Sequence, residues 1–439
     1  MAEVIPFGGR LLVSFNMFLM HAIFSKMFIA PKIALMSIVF ADNYNIKEES
    51  ITTIIRKWNF LYIFENFMKI ILSIFAGIWS VNNEQKGIIF GLGLYGTILT
   101  YTVTWFNEEN ALPVLDVLTS ALKSFADPLL YSLIAKWVPI NEQRMLVQFI
   151  LAGQNLGFYP EYYGYTSGEY HDDEWIHKLY VVTLWSMTWS IMWAVFGSDH
   201  PKPCVFVEKR ERHYICEKLP FTASYKYMKR IPWMKIFLSV DFYTIIFTHI
   251  CSAWAYEVAY LNLCTYFIFL HKLDFRDSIA NMMGWSHLMS LIIAIVIGFV
   301  VNRKPLKKWP TIRIRKLVNC IGMWGGALAL ILMKVTSSPV LAMIMAKFYV
   351  IFTSSIYIGA FINYIDFSPN FAGLLYGIGS AVAYFVTLWV PIVRDAFLKT
   401  HDDRNGWNNF MSTAIIANYL GGLIYALYSK CNVQRFNLV

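Results

Sequence analysis

Apolar residues run along this chain in long unbroken blocks. They show neither the two-residue alternation of a half-buried strand nor the narrow stripe of a surface helix. A helix that crosses about 30 Å of hydrocarbon needs roughly 20 such residues. By that ruler the blocks fall near 11–40, 59–80, 87–106, 112–137, 144–163, 176–198, 236–270, 279–301, 315–335, 338–364, 371–393 and 408–429. The pattern predicts an all-α membrane protein of about twelve spans. The first block exceeds the roughly 7–15 residues of a signal-peptide core and reads as a retained span. The least regular are the second, which carries Glu65 and Lys69, and the fifth, which ends in the polar run Pro160-Glu161-Tyr162-Tyr163-Gly164.

Composition agrees, with 57% of 439 residues hydrophobic and 15% charged. A soluble domain carries about a quarter charged. The net charge of +9 is no nucleic-acid footprint, because Lys and Arg concentrate in short connections between blocks. Lys202, Lys209, Arg210, Arg212, Lys218, Lys226, Lys229 and Arg230 follow block six; Arg303, Lys304, Lys307, Lys308, Arg313, Arg315 and Lys316 follow block eight. Connections of opposite parity are acidic, with Glu108-Glu109 after block three and Glu169 and Asp172-Asp173-Glu174 after block five. The positive-inside rule then puts both termini in the cytoplasm. Met1–Arg10 shows no sorting signal, so the plasma membrane is the default and endolysosomal or vesicular membranes stay open. The six cysteines form no C-x-x-C pair, and no metal or cofactor is expected.

Residues 199–235 form the long connection on the basic side. They divide the chain into a six-helix half at 1–198, a connecting loop at 199–235, and a second half at 236–439. Trp137-Val138-Pro139 and Phe367-Ser368-Pro369 sit at matching places in the two halves. Parallel halves suit a transporter that rocks around a midplane site. A channel or multi-span enzyme also fits the composition; a seven-helix receptor does not fit the span count.

Several motifs are more specific. Pro128 to Glu142 (PLLYSLIAKWVPINE), followed by Ala152-Gly153-Gln-Asn-Leu-Gly157, resembles the junction of spans four and five in the anion:cation symporter family of major facilitators, solute carrier family 17. That family includes sialin, vesicular glutamate transporters and sodium-phosphate cotransporters. Glu208–Ile215 (EKRERHYI), Ile231-Pro232-Trp233-Met-Lys235, Thr311–Gly322 (TIRIRKLVNCIG), Asn363–Ile378 (NYIDFSPNFAGLLYGI), Gly406-Trp407 and Asn432–Asn437 follow the family's order. The match is strong from about residue 110 and weaker before it, and is nearest the insect-type inorganic phosphate cotransporter branch. The resemblance implies the major facilitator fold and a monomeric transport unit in a lipid bilayer. It further implies a small anionic solute, inorganic phosphate or organic, coupled to sodium or protons by alternating access. No enzyme chemistry is implied, since no Ser/His/Asp or Cys/His arrangement and no Gly-rich phosphate loop stands out.

Against the family's charged positions the chain departs. The span-one arginine aligns to Phe28, with Lys32 one turn away. The span-four arginine and the proton-linked glutamate align to Asp116 and Lys123, each inverted in charge. Ser252 stands at a variable span-seven position and Tyr131 at a span-four histidine. The gating motif keeps Gly77 but loses both charges, and its second copy has Asn302 beside Arg303. Asp366 and Gly373 belong to the retained signature, where Gly373 and Gly377 allow close helix packing.

Charges kept inside the bilayer face the bundle interior or water. Asp116 and Lys123 share a helix face about 10 Å apart, so each is expected to meet a partner on another helix. Glu257 and Lys347 are the candidates, with Lys123–Glu257 the expected pair in a central cavity. The path thus comprises Lys32, Asp116, Lys123, Tyr131, Ser252, Glu257, Lys347 and Asn363; structural ion pairs between the halves are the plainer reading. Tyr256, Tyr260, Asn262, Thr265 and Tyr266 line the path or face lipid, and His249 titrates or is packed neutral. His171 to Glu174 has metal-like residue types in an exposed acidic loop. A transport-dead member acting as a receptor-like or interaction protein, or a carrier of cationic or zwitterionic solutes, is the competing expectation.

Overall fold

The computed structural model describes residues 8–39, 48–106, 109–163, 174–219, 230–273, 280–303, 306–400 and 402–438. Among them every regular element is a helix. The first six expected spans are α1 (Gly9–Val39), α2 (Glu48–Asn82), α3 (Lys86–Phe106), α4 (Leu112–Trp137), α5 (Gln143–Tyr163) and α6 (Glu174–Phe196). A short helix α7 (Lys209–Lys218) lies in the connection, followed by α8 (Trp233–Phe237). The seventh block is not one helix. It is α9 (Val240–Ala255), a wide π turn at Tyr256–Tyr260, and α10 (Leu263–His271). Then come α11 (Asn281–Val301), α12 (Thr311–Val335) and α13 (Pro339–Ser354), a second π turn at Tyr357–Phe361, and α14 (Asn363–Phe367). The chain closes with α15 (Ala372–Thr387), α16 (Val390–Phe397) and α17 (Arg404–Tyr428).

Among the described residues nine helices are long and apolar enough to cross a membrane. The other three expected spans fall short because they sit inside the bundle, where side chains need not be lipid-like. α4 carries Asp116, Lys123, Asp127 and Lys136 on a mostly buried helix. α5 buries Gln148, Gln154, Asn155 and Glu161, and the seventh span is broken. The peripheral helices show the reverse of soluble amphipathicity. On α2, Phe60, Phe64, Phe67, Ile71 and Phe75 are exposed while Glu65, Asn66, Lys69 and Ser73 are buried. Lipid takes the apolar face and the interior takes the polar one.

α1 packs on α4, α5 and α6; α2 and α3 pack on α4, and α3 on α6. In the second group α12 packs on α13 and α17, α17 on α9, and α11 on α13. The two groups meet where α5 lies on α11 and where α2 and α4 lie on α15. Glycines permit the closest approaches. Gly157 faces the α1 backbone at Ala22 and Lys26, while Gly77 and Gly377 face each other across α2 and α15. Small residues at such crossings let helix backbones come together.

Call the end of the bundle with Gly9 and Tyr428 the near end, and the opposite end the far end. Two buried arginines are near-end ties: Arg315, read as a loop charge, and Arg10 of the N-terminal stretch. Arg315 opens α12 and pairs with Asp366 at 3.0 Å, also donating to the Ile358 carbonyl. Arg10 pairs with Glu142 at 3.0 Å and with Glu211 of α7 at 3.2 Å. Glu211 also accepts the backbone N–H groups of Gly9 and Arg10. It thereby caps α1, whose first amides have no partner within the helix.

Candidate functional site

Two apolar clusters fill the bundle, and each draws on both helix groups. The far-end cluster joins Phe28, Ile29, Ile33 and Phe158 to Val258, Phe267, Met283 and Tyr349. The second cluster runs the length of the first helix group and, toward the near end, joins Leu130 and Ile134 to Phe242, Phe367 and Leu374. Residues of both clusters line a cavity of about 150 Å³.

Its wall comes from both helix groups. α2 supplies Lys69, α4 supplies Lys123 and Asp127, and α5 supplies Gln154 and Asn155. The two π turns supply Tyr256, Glu257 and Tyr260, and Tyr357 and Phe361; α15 adds Tyr376 and Tyr384. A π turn widens the helix and splays its side chains, and such turns concentrate at functional sites. His287 of α11 sits between Tyr260 Oη (2.7 Å) and Asn155 Oδ1 (3.1 Å), bridging the groups.

The expected Lys123–Glu257 pair does not form. Lys123 binds Asp127 on its own helix at 3.0 Å, four residues on, where helical geometry brings side chains together. Asp116 does meet another helix, but its partner is Lys32 of α1 at 2.7 Å. Lys32 also reaches Glu65 at 3.3 Å, and Glu65 binds Lys69 at 2.6 Å. Glu257 accepts a hydrogen bond from Tyr62 Oη at 3.1 Å. Lys347 is half-buried, lies outside the cavity wall, and makes no ion pair among the described residues.

The remaining expected residues divide. Ser252 lines the cavity and donates to the His249 carbonyl at 3.1 Å. Tyr131 lies just beneath, stacked on Tyr376 at 3.9 Å. His249 lines the wall and meets Tyr364 Oη at 3.1 Å. Asn363 is not on the path: it ties α14 to the tail, donating to the Lys430 carbonyl. Asn302 ends α11 and Arg303 is exposed, with no ion pair among the described residues. The ion pair of that region is Arg315 with Asp366 instead. Tyr256 and Tyr260 face the cavity, and Tyr266 packs edge-on against Trp407, so this stretch is interior and does not face lipid. Asn262 donates to the Glu257 carbonyl and Thr265 is half-buried. Residues 171–173 lie outside the described residues.

Asp127, Tyr62, Gln154, Asn155 and His287 were not singled out from the sequence. Asp127 was within reach, four residues after Lys123. The others carry no local signal, since they gain meaning only from helices packed around them.

Residues 17–391 match the family described as the Major Facilitator Superfamily. The chain belongs to this superfamily. Among curated proteins, this major facilitator is 29% identical over 279 residues to the "Putative inorganic phosphate cotransporter" of Drosophila ananassae, covering 60% of this chain and 55% of that protein. It is 22% identical over 333 residues to vesicular glutamate transporter 1 of Xenopus laevis, covering 72% and 55%. The chain spans about half the length of these relatives, which are named as transporters and not as enzymes. The fold matches the major facilitator proton:xylose symporter XylE bound to a bromo-deoxyglucose, with TM-score 0.68 at 14% identity over 94% of each chain. It also matches the human organic anion transporter MFSD10, with TM-score 0.62 at 10% identity over 94% of this chain and 99% of that one.

Proposed function

We propose that this major facilitator is a secondary active transporter that carries a small solute bearing an acidic group through the cavity by alternating access, coupled to sodium or protons. The units that rock are 1–198 and 236–439, joined by 199–235, with the near end in the cytoplasm. The observation that carries the reading is the pairing of the two cavity lysines. Lys69 and Lys123 each hold a carboxylate four residues away on their own helix. A solute carboxylate or phosphate can displace either internal partner without breaking a link between helices. Lys32 differs, because its partners stand on α2 and α4, and it holds the bundle together. A charge at the bilayer centre costs about 2.5–3.5 kcal/mol on insertion scales, so charges kept beside a cavity serve more than packing. The names of the relatives, a phosphate cotransporter and a glutamate transporter, favour the same solute class.

The test is uptake into proteoliposomes holding the purified protein. Labelled phosphate, glutamate, sialate and urate are offered under imposed sodium or proton gradients, beside Lys123→Ala. Gradient-dependent uptake of one solute, lost in the variant, is expected. Absence of uptake of all four by folded protein refutes the anion reading.

A further inference from the structure

Most charges around the cavity are matched one to one. Lys32 and Lys69 stand with Glu65 and Asp116, Lys123 with Asp127, and Lys26 with Glu161 at 2.8 Å. Glu257 is left over. It is 6% exposed, lines the cavity, and makes no ion pair among the described residues. Its Oε2 accepts the Tyr62 hydroxyl, while its Oε1 accepts no hydrogen bond among them. The two cavity histidines do not answer it: His249 bonds Tyr364, and His287 bonds Tyr260 and Asn155. Lys69 and Lys32 act on it only from beyond ion-pair distance, and an ionised carboxylate so enclosed is costly without a counter-charge in contact.

The shelf that carries it is fixed. Asn262 Nδ2 donates to the Glu257 carbonyl and Tyr349 Oη to the Ala255 carbonyl, both at 2.8 Å. Stacked Tyr256 and Tyr260, 4.6 Å apart, line the cavity on the same turn, and ring faces attract cations. The single Tyr62 hydroxyl proton is shared with the Thr387 carbonyl of α15, also 3.1 Å away, so whatever binds Glu257 touches the seam between the helix groups.

We propose that Glu257 binds a compact monovalent cation, either a sodium ion or the ammonium group of the solute itself. This deepens the transport reading and rests on it for its purpose. The cation supplies the charge the cavity lacks, and its arrival and departure act on Tyr62 and hence on the contact between α2 and α15.

Thermal unfolding of the purified full chain, followed by tryptophan fluorescence, tests this without requiring transport. At constant ionic strength, N-methylglucamine chloride (a secondary ammonium carrying a six-carbon polyol, not a compact cation) is replaced by sodium chloride or by methylammonium chloride. A saturable rise of roughly 2–4 °C is expected with one of the two. It should be absent in Glu257→Gln, which keeps the size and can still accept from Tyr62, and intact in the exposed control Glu217→Gln. Glu257→Asp should saturate at a concentration at least roughly tenfold higher, and serves if the Gln variant does not fold. Saturation by sodium assigns the site to an inorganic ion; saturation by methylammonium assigns it to a solute amine. No saturable rise with either cation, or an equal rise in Glu257→Gln, overturns the proposal. A saturable rise alongside absent uptake of every solute removes the transport reading and leaves the site standing.

Discussion

A methyl group added at Gly373 would lie 2.5 Å from the Pro128 carbonyl oxygen, 2.5 Å from Ser80 Oγ and 3.0 Å from Ser132 Cβ. Ser80 Oγ can rotate away, but a backbone oxygen cannot. To reach ordinary contact, α15 must therefore part from α4 by about 1 Å. Overpacking of this kind costs about 1–3 kcal/mol. The strain falls on a seam between the two helix groups at the near end, so it acts mainly on the arrangement in which that end is closed. Gly373→Ala should shift the balance toward a parted near end by roughly 5- to 150-fold. Gly157→Ala is the matched control, because its added methyl group meets the Ala22 carbonyl and lies 2.9 Å from Lys26 N, both on α1 of the same helix group. That variant should unfold at lower temperature without opening the near end. The readout is the maleimide labelling rate of Ser73→Cys, a buried α2 position facing α15, in a background free of other cysteines. Faster labelling in Gly373→Ala but not in Gly157→Ala is expected. Equal acceleration in both, or none in folded Gly373→Ala, would refute the assignment of this seam as the moving one.

Arg315→Met strands the buried Asp366 carboxylate and should cost about 3–5 kcal/mol, much of it recovered in Arg315→Met/Asp366→Leu; unfolding temperatures of the two variants decide, and no recovery would mean the pair holds more than its own charges. His200 lies beyond α6, outside the spans, where burial first, then Lys136 and Lys202, hold its imidazole down to about 4 from an ordinary 6.5. The unfolded chain takes up a proton between those values that the folded chain refuses, so stability should fall as pH drops from 6.5 toward 4 and level off below. His200→Gln should flatten that slope, and an unchanged slope would assign it to another group.

How much of this was written in the residues differs between fold and site. The order of the spans followed from block lengths, because a bilayer imposes a minimum length on every span, while α2 overran its block and the seventh was broken. The same logic misjudged Glu65 and Lys69. They looked like defects in the second span, yet they are an i,i+4 pair turned toward α1 and the cavity. Arg315 was read by its place beside a basic loop, whereas its helix starts early enough to carry it inside. Lys123 was assigned a distant partner when Asp127 stood one turn away. Spacing along one helix settles such pairs; pairs between helices, such as Lys32 with Asp116, depend on a packing that no local pattern encodes. The π turns were not legible either, since Tyr256–Tyr260 and Tyr357–Phe361 contain no proline and no other local signal that sets them apart from the helices they interrupt.

Those turns have an arithmetic of their own. Each residue of an α-helix rotates the next side chain by about 100°, so a residue added to an ordinary helix swings everything beyond it to a new face. A π turn absorbs the extra residue locally. His249 on one side of Tyr256–Tyr260 and Tyr266 on the other keep their neighbours while Glu257 rides on the bulge between them. A lineage can therefore gain or lose that carboxylate by a single-codon insertion or deletion, with both flanking helices left in register. The glycine seams grant no such freedom, and change in this protein should accumulate at its bulges long before it reaches its crossings.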